Sequence, residues 1–186
     1  MRDTRFHGVP MKTLLLALAC SAVALPACAP VQKIVAKAPG ATATVLPTRD
    51  HEARGTVTFT RKGRAVVIAG RITGLSPGAH GFHVHEKGNC TAPDASSAGG
   101  HFNPAGAPHA GPHNTPRHAG DLGNIIANSE GVAEFSIEVE GLSLGFDSAS
   151  IIGRALVVHA APDDLQSQPA GNASSRIACG LISKGP

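Results

Sequence analysis

A chain of 186 residues with 42% hydrophobic content is long enough for one domain with its own core. Aromatics make up only 3%, with six Phe and no Trp or Tyr, so the core must be built mainly from Val, Ile, Leu and Ala. The formal charge is +3 with histidine neutral and no basic run stands out, which argues against a nucleic-acid partner.

From Met11 the chain reads as a secretory signal. Lys12 supplies the charge, Leu14 to Leu25 the apolar stretch, and small residues precede the cut. The stretch falls short of the roughly 20 residues that span a bilayer. Met1 to Pro10 then reads as an extension upstream of the true start at Met11. Leu25-Pro26-Ala27-Cys28 resembles a bacterial lipobox, which would make Cys28 the lipidated first residue of the mature chain. The alternative is an ordinary signal cleaved slightly further on. Ala29 after Cys28 resembles lipoproteins sorted to an outer membrane. The expected divisions are a signal over 1–27, a tether over 28–40 and one domain over 41–186. The protein is expected to be exported to the periplasm or cell envelope, touching a membrane only through the lipid at Cys28.

Cysteine usage fits that compartment. Cys20 leaves with the signal and lipid takes Cys28, which leaves Cys90 and Cys179 as a pair in an oxidising space. A bridge between them would close a loop of roughly 90 residues and contribute on the order of 4 kcal/mol. Two free thiols are the alternative. Loss of residues 1–27 removes Arg2, Arg5, Lys12 and Asp3, and the mature chain becomes nearly neutral.

Along the domain the pattern is that of short strands. Gly55 to Thr60 alternates, Lys62-Gly63 marks a turn, and Ala65 to Ile72 forms the return strand. Leu75 to Gly78 is another turn, followed by a strand from His80 to Glu86. Ala133, Phe135, Ile137 and Val139 share one face, opposite Glu134, Ser136, Glu138 and Glu140. Ile151 to His159 and Arg176 to Ile182 supply two more strands, and no segment keeps a helical period. This predicts an all-β antiparallel sandwich or barrel. Two long segments, Gly88 to Arg117 and Ala160 to Ser175, interrupt the rhythm, as functional loops do.

The chemistry sits on and beside those loops. His83 and His85 are two apart on a strand and project from one face. His101, His109, His118 and Asp121 follow, and His159 ends a later strand. Seven such side chains are too many for one tetrahedral ion and suit two metals that share a ligand. Any one of these histidines alone would be an ordinary buried or surface residue.

The segments Gly81-Phe82-His83-Val84-His85, Gly100-His101-Phe102-Asn103-Pro104, Arg117-His118-Ala119-Gly120-Asp121-Leu122-Gly123-Asn124 and Arg176-Ile177-Ala178-Cys179-Gly180 closely resemble copper/zinc superoxide dismutase of the bacterial exported type. The resemblance covers roughly Ala41 to Ile182. It implies an eight-stranded antiparallel Greek-key barrel of immunoglobulin-like architecture with two long functional loops. It implies one copper on His83, His85, His101 and His159, and one zinc on His101, His109, His118 and Asp121. The implied reaction is dismutation of superoxide to O₂ and H₂O₂ by alternating reduction and reoxidation of the copper, with His101 as the bridge between the ions. Arg176 would attract the anion from a position tethered by the Cys90–Cys179 bridge. Asp163 would link His83 to His109, and His80 would be structural. His113 has no counterpart among the family's ligands.

There are departures. The loop Ala160 to Ser175 has no lysine, and Ala170 stands where the family commonly has threonine. Steering would then rest on Arg176 and neighbours such as Lys87, with a weaker dependence on ionic strength. A metal-buffering module without turnover is the competing reading, and a full set of copper ligands plus Arg176 argues against it. Monomer and homodimer are both compatible with the sequence.

Overall fold

The computed structural model describes Met1 and residues 40–185. The expected signal, Cys28 and the expected tether before Gly40 lie outside the described residues. The fold belongs to the second of two units, Ala36–Pro186.

Eight strands form it: β1 Ala41–Pro47, β2 Arg54–Lys62, β3 Ala65–Thr73, β4 Gly78–His85, β5 Asp121–Ala127, β6 Ala133–Glu140, β7 Ala155–His159 and β8 Arg176–Lys184. Every pairing is antiparallel. The order across the sheet is β5-β4-β7-β8-β1-β2-β3-β6. The links from β3 to β4, from β5 to β6 and from β6 to β7 cross between the two halves, which is Greek-key winding. The edge strands β5 and β6 touch, so the sheet curls into a nearly closed barrel.

Alternation explains which face each residue takes. Phe59, Ile68, Ile72, Phe82, Leu122, Ile125, Leu156 and Ile182 fill the interior, with Phe82 set edge-on to Phe135 at 5.2 Å between centroids. On β4, Phe82 and Val84 point inward, so His83 and His85 point outward beneath the loops. On β7, Ala155 and Val157 point outward into a smaller cluster with Ala95, Ala98 and Cys179.

β1 and β5 were not among the strands read from pattern alone. β1 alternates Ala and Thr, too small to register as an apolar face, and in β5 Gly123-Asn124 interrupts the apolar residues. The strand expected from Ile151 begins only at Ala155, because Gly153 adopts φ +79° and turns the chain first. The long segments fall between β4 and β5 and between β7 and β8, and a single 3₁₀ turn, Ser96–Ala98, lies in the first. Register shifts lie between Gly81 and His83 and between Val158 and His159, each beside a candidate ligand. Such bulges re-aim the side chain that follows.

Candidate metal centre

Backbone contacts draw the first long loop onto β4. Phe102 donates to Val84 O at 2.8 Å, Val84 to Gly120 O at 2.9 Å, and Gly120 to Phe102 O at 2.8 Å. His101 thereby sits opposite His85, and the His118 ring lies 5.5 Å from that of His101. A Cβ on Gly120 would collide with the Val84 carbonyl, so only glycine permits this three-way approach.

The result is two groups sharing one member: His83, His85, His101 and His159, and His101, His109, His118 and Asp121. Within each, one donor atom per residue lies within 4.8 Å of the others, and all seven residues are buried. A tetrahedron of roughly 2.1 Å bonds has edges of about 3.4 Å, so each group needs little contraction around an ion.

Which nitrogen each ring offers follows from what holds the other. His83 Nε2 donates to Asp163 Oδ2 at 2.8 Å, His85 Nδ1 to Gly99 O at 2.9 Å, and His159 Nδ1 to Ser174 O at 3.2 Å. Their remaining nitrogens face one another, with His85 Nε2 3.4 Å from His159 Nε2. In the second group, three Nδ1 atoms converge on Asp121 Oδ1, from His101 at 2.8 Å, His109 at 3.0 Å and His118 at 3.2 Å. The amides of Ala110 and His118 fix the other carboxylate oxygen, each at 3.1 Å. His109 Nδ1 is that close to Oδ1 yet not aligned for a hydrogen bond, as expected of two ligands aimed at a common point. His83 Nδ1, His101 Nε2 and His109 Nδ1 are buried without any partner. Orphaned acceptors of this kind are costly unless something occupies the space between them. The residues present fit two metal ions.

Electrostatics agrees. Burial, reinforced by the nearby His101, holds His83 and His85 well below the ordinary imidazole range. Burial brings His159 down to about 4, against the Ser174 carbonyl, and lowers His118 against Asp121. Burial would raise Asp121, but hydrogen bonds from His101 and the Ala110 amide outweigh it and keep its carboxyl below the usual range. Those histidines are therefore neutral at pH 7, with lone pairs available to a cation.

Asp163 spans the groups, accepting from His83 and, at 2.9 Å, from His109 Nε2. Asn124 clasps its backbone through bonds of 2.7 and 2.9 Å. Gln168 holds His109 at both main-chain groups, each at 2.8 Å. Gly171 adopts φ +66°, and a Cβ there would strike Asp163 and His109. Sequence reasoning gave no role to Gln168, Gly171 or Gly99. Asn124 was visible only as the end of a motif.

Arg176 is half-buried, and its guanidinium donates to Ala95 O and Gly99 O, both at 2.6 Å. Its charge is felt by His85 and His159, lowering both. It lines a cleft of about 660 Å³ with Arg49, Asp50, His51 and Asp94. The Cys90–Cys179 disulfide is present and ties the loop holding Ala95 and Gly99 to β8. His80 is buried but not a member of either group; its Nδ1 donates to His159 O at 2.8 Å. Lys87 is exposed with its ammonium 4.0 Å from Glu86, and His113 is exposed on its loop.

The copper/zinc superoxide dismutase (SODC) family model matches residues 53–182, more than half of the chain. The chain is similar to superoxide dismutase (Cu-Zn) 2 of Mesembryanthemum crystallinum, at 44% identity over an alignment of 140 residues that covers 72% of this chain and 88% of that protein. Among solved structures it is similar to the clock protein EA4, at 39% identity and a TM-score of 0.71, over 80% of this chain and 96% of that one.

Proposed function

The chain belongs to the copper/zinc superoxide dismutase family, and from that premise we propose how its residues divide the work. It is a superoxide dismutase with copper and zinc as cofactors and superoxide as substrate. In our reading, copper would be held by His83 Nδ1 and by the Nε2 atoms of His85, His101 and His159. Zinc would be held by the Nδ1 atoms of His101, His109 and His118 and by Asp121. The observation that carries this is the set of buried nitrogens left without partners, one of them on His101 Nε2.

When bound, copper supplies the one-electron redox chemistry, while zinc is redox-inert and fixes the ligand they share. His101 would be that shared ligand, since its Nδ1 is turned to the Asp121 side and its Nε2 is left without a partner. Whenever the ion does not occupy it, the same Nε2 would be free to hold a proton for the product. Arg176 is a permanent cation fixed by two carbonyls, and it draws the superoxide anion and orients it. Asp163 fixes the tautomers of His83 and His109 by occupying their Nε2–H groups.

We further read the enzyme as an exported one, anchored through lipid at Cys28, that protects the cell envelope from superoxide arising outside the cytoplasm. Intact-mass measurement of the mature protein, native and denatured, reads lipid, disulfide and metal content together, and native mass also reads monomer or homodimer. The ligand assignment is tested by His159→Ala. Superoxide-scavenging activity should fall to background while one zinc per chain is retained. Unchanged activity would sink it.

A further inference from the structure

The described surface carries one large apolar side chain with nearly complete exposure besides Met1. Phe146, in the connection between β6 and β7, is 96% exposed. Its neighbours mark one end of the barrel. Lys184 Nζ lies 5.6 Å from the ring centroid, and Gly185 donates to Gly40 O at 3.0 Å. Leu144 lies against Gly40, where the chain enters β1. Because Ala41 pairs with both Phe59 and Lys184, the β2–β3 turn lies at this end too. Arg176, the Thr48 that holds its carbonyl, and the cleft they line lie at the other end of β8 and β1.

The charges at the Phe146 end do not repel an anionic surface. Lys62 and Glu138 offset one another at 2.6 Å, and Arg61, Arg64 and Lys184 stand against Glu140 and Asp147. The chain also leaves the domain here. From Cys28 to Gly40 it reaches about 40 Å at most, comparable with the width of a domain this size. A lipid on Cys28 would keep the domain near the bilayer by this end, and a surface contact would be what fixes its orientation.

We propose that the end of the barrel bearing Phe146 rests on a membrane surface. Phe146 enters the interfacial layer, and Lys184 extends past its ring to the headgroups. Aromatic rings favour that depth, and a lysine beside one keeps its stem in the apolar layer while its charge stays wet. The contact is peripheral, since among the described residues no helix is long and apolar enough to cross a membrane. The orientation deepens, and rests on, the reading of Cys28 as lipidated. Its consequence for catalysis is that the Arg176 cleft opens away from the bilayer, toward the solution from which superoxide arrives.

The absence of Trp and Tyr makes the test direct. Phe146→Trp in the full exported chain gives one reporter, and Ile126→Trp, 64% exposed at the far end, gives another. Each metal-loaded protein is reconstituted into vesicles of phosphatidylethanolamine and phosphatidylglycerol with brominated acyl chains. Emission from Phe146→Trp should shift to shorter wavelength and be largely quenched, while Ile126→Trp stays unshifted and bright. Equal behaviour of the two, or no shift at Phe146→Trp, overturns the proposal. So does a shifted but unquenched Phe146→Trp, since protein, such as a second copy, would then cover the ring. Intact mass reports separately whether Cys28 carries lipid, and dismutase activity of the same samples reports the metal centre. A failure of either reading is thereby told apart from a failure of this surface.

Discussion

His159 joins the group of His83, His85 and His101 from farthest along the chain, and its burial gives the metal-free protein a pH dependence. Unfolded, its imidazole takes a proton near 6.5; folded, not until about 4. Between these values the unfolded state binds more protons, so stability rises with pH across that window and is lost as pH falls through it. Chelator-treated protein should show a melting temperature that climbs from pH 4 to pH 6.5, and a flat profile there would contradict the burial argument. Gly171 makes a second prediction at this scale. Gly171→Ala adds a methyl group at a strained φ and pushes it into the Asp163 carboxylate, which orients His109. Loss of such an orienting partner typically costs 10–100-fold in metal affinity, so roughly that drop should appear in zinc competition against a chromophoric chelator. The seven side chains were expected together because the motifs that carry them resemble the family's, and the fold does bring them into two groups that share His101. The nitrogen each ring presents could not be read from the sequence, because it depends on main-chain carbonyls such as Gly99 O and Ser174 O, and every residue has one.

At the scale of elements, the disulfide does two jobs. It joins residues 89 apart, so removing it frees a long loop in the unfolded chain and should lower stability by about 4 kcal/mol. It also moors the segment whose Ala95 and Gly99 carbonyls hold Arg176. Cys90→Ser with Cys179→Ser should therefore reduce kcat/KM as well as the denaturation midpoint. A drop in the midpoint with kcat/KM unchanged would separate Arg176 from the bridge. Strands with large alternating residues, such as β6, were readable as amphipathic. β1, built on Ala and Thr, was not, because its buried face is defined by the strands beside it and not by its own bulk. The pair Cys90 and Cys179 was expected once Cys20 was given to a signal and Cys28 to lipid, and the bridge itself is present.

Over the whole molecule, the approach to the cleft is electrically mixed. Arg49 and Arg176 share it with Asp50 and Asp94, Lys87 stands beside Glu86, and the second long loop contributes no lysine. The field reaching into solvent is correspondingly weak, and kcat/KM should fall only shallowly as salt is raised from low to physiological strength. A slope as steep as that of lysine-steered relatives would show that charges elsewhere on the surface do the steering. The barrel itself was legible as a class, all-β and antiparallel, while its closure depends on β5 meeting β6, two strands separated by a short turn but belonging to opposite halves of the winding. That meeting has a consequence for life at high local concentration. An open sheet offers two rows of unpaired amides and carbonyls, on which a neighbouring copy can add a strand. Here, among the described strands, β5 and β6 approach one another without forming a ladder, so each edge partly covers the other and is less accessible to a neighbouring copy.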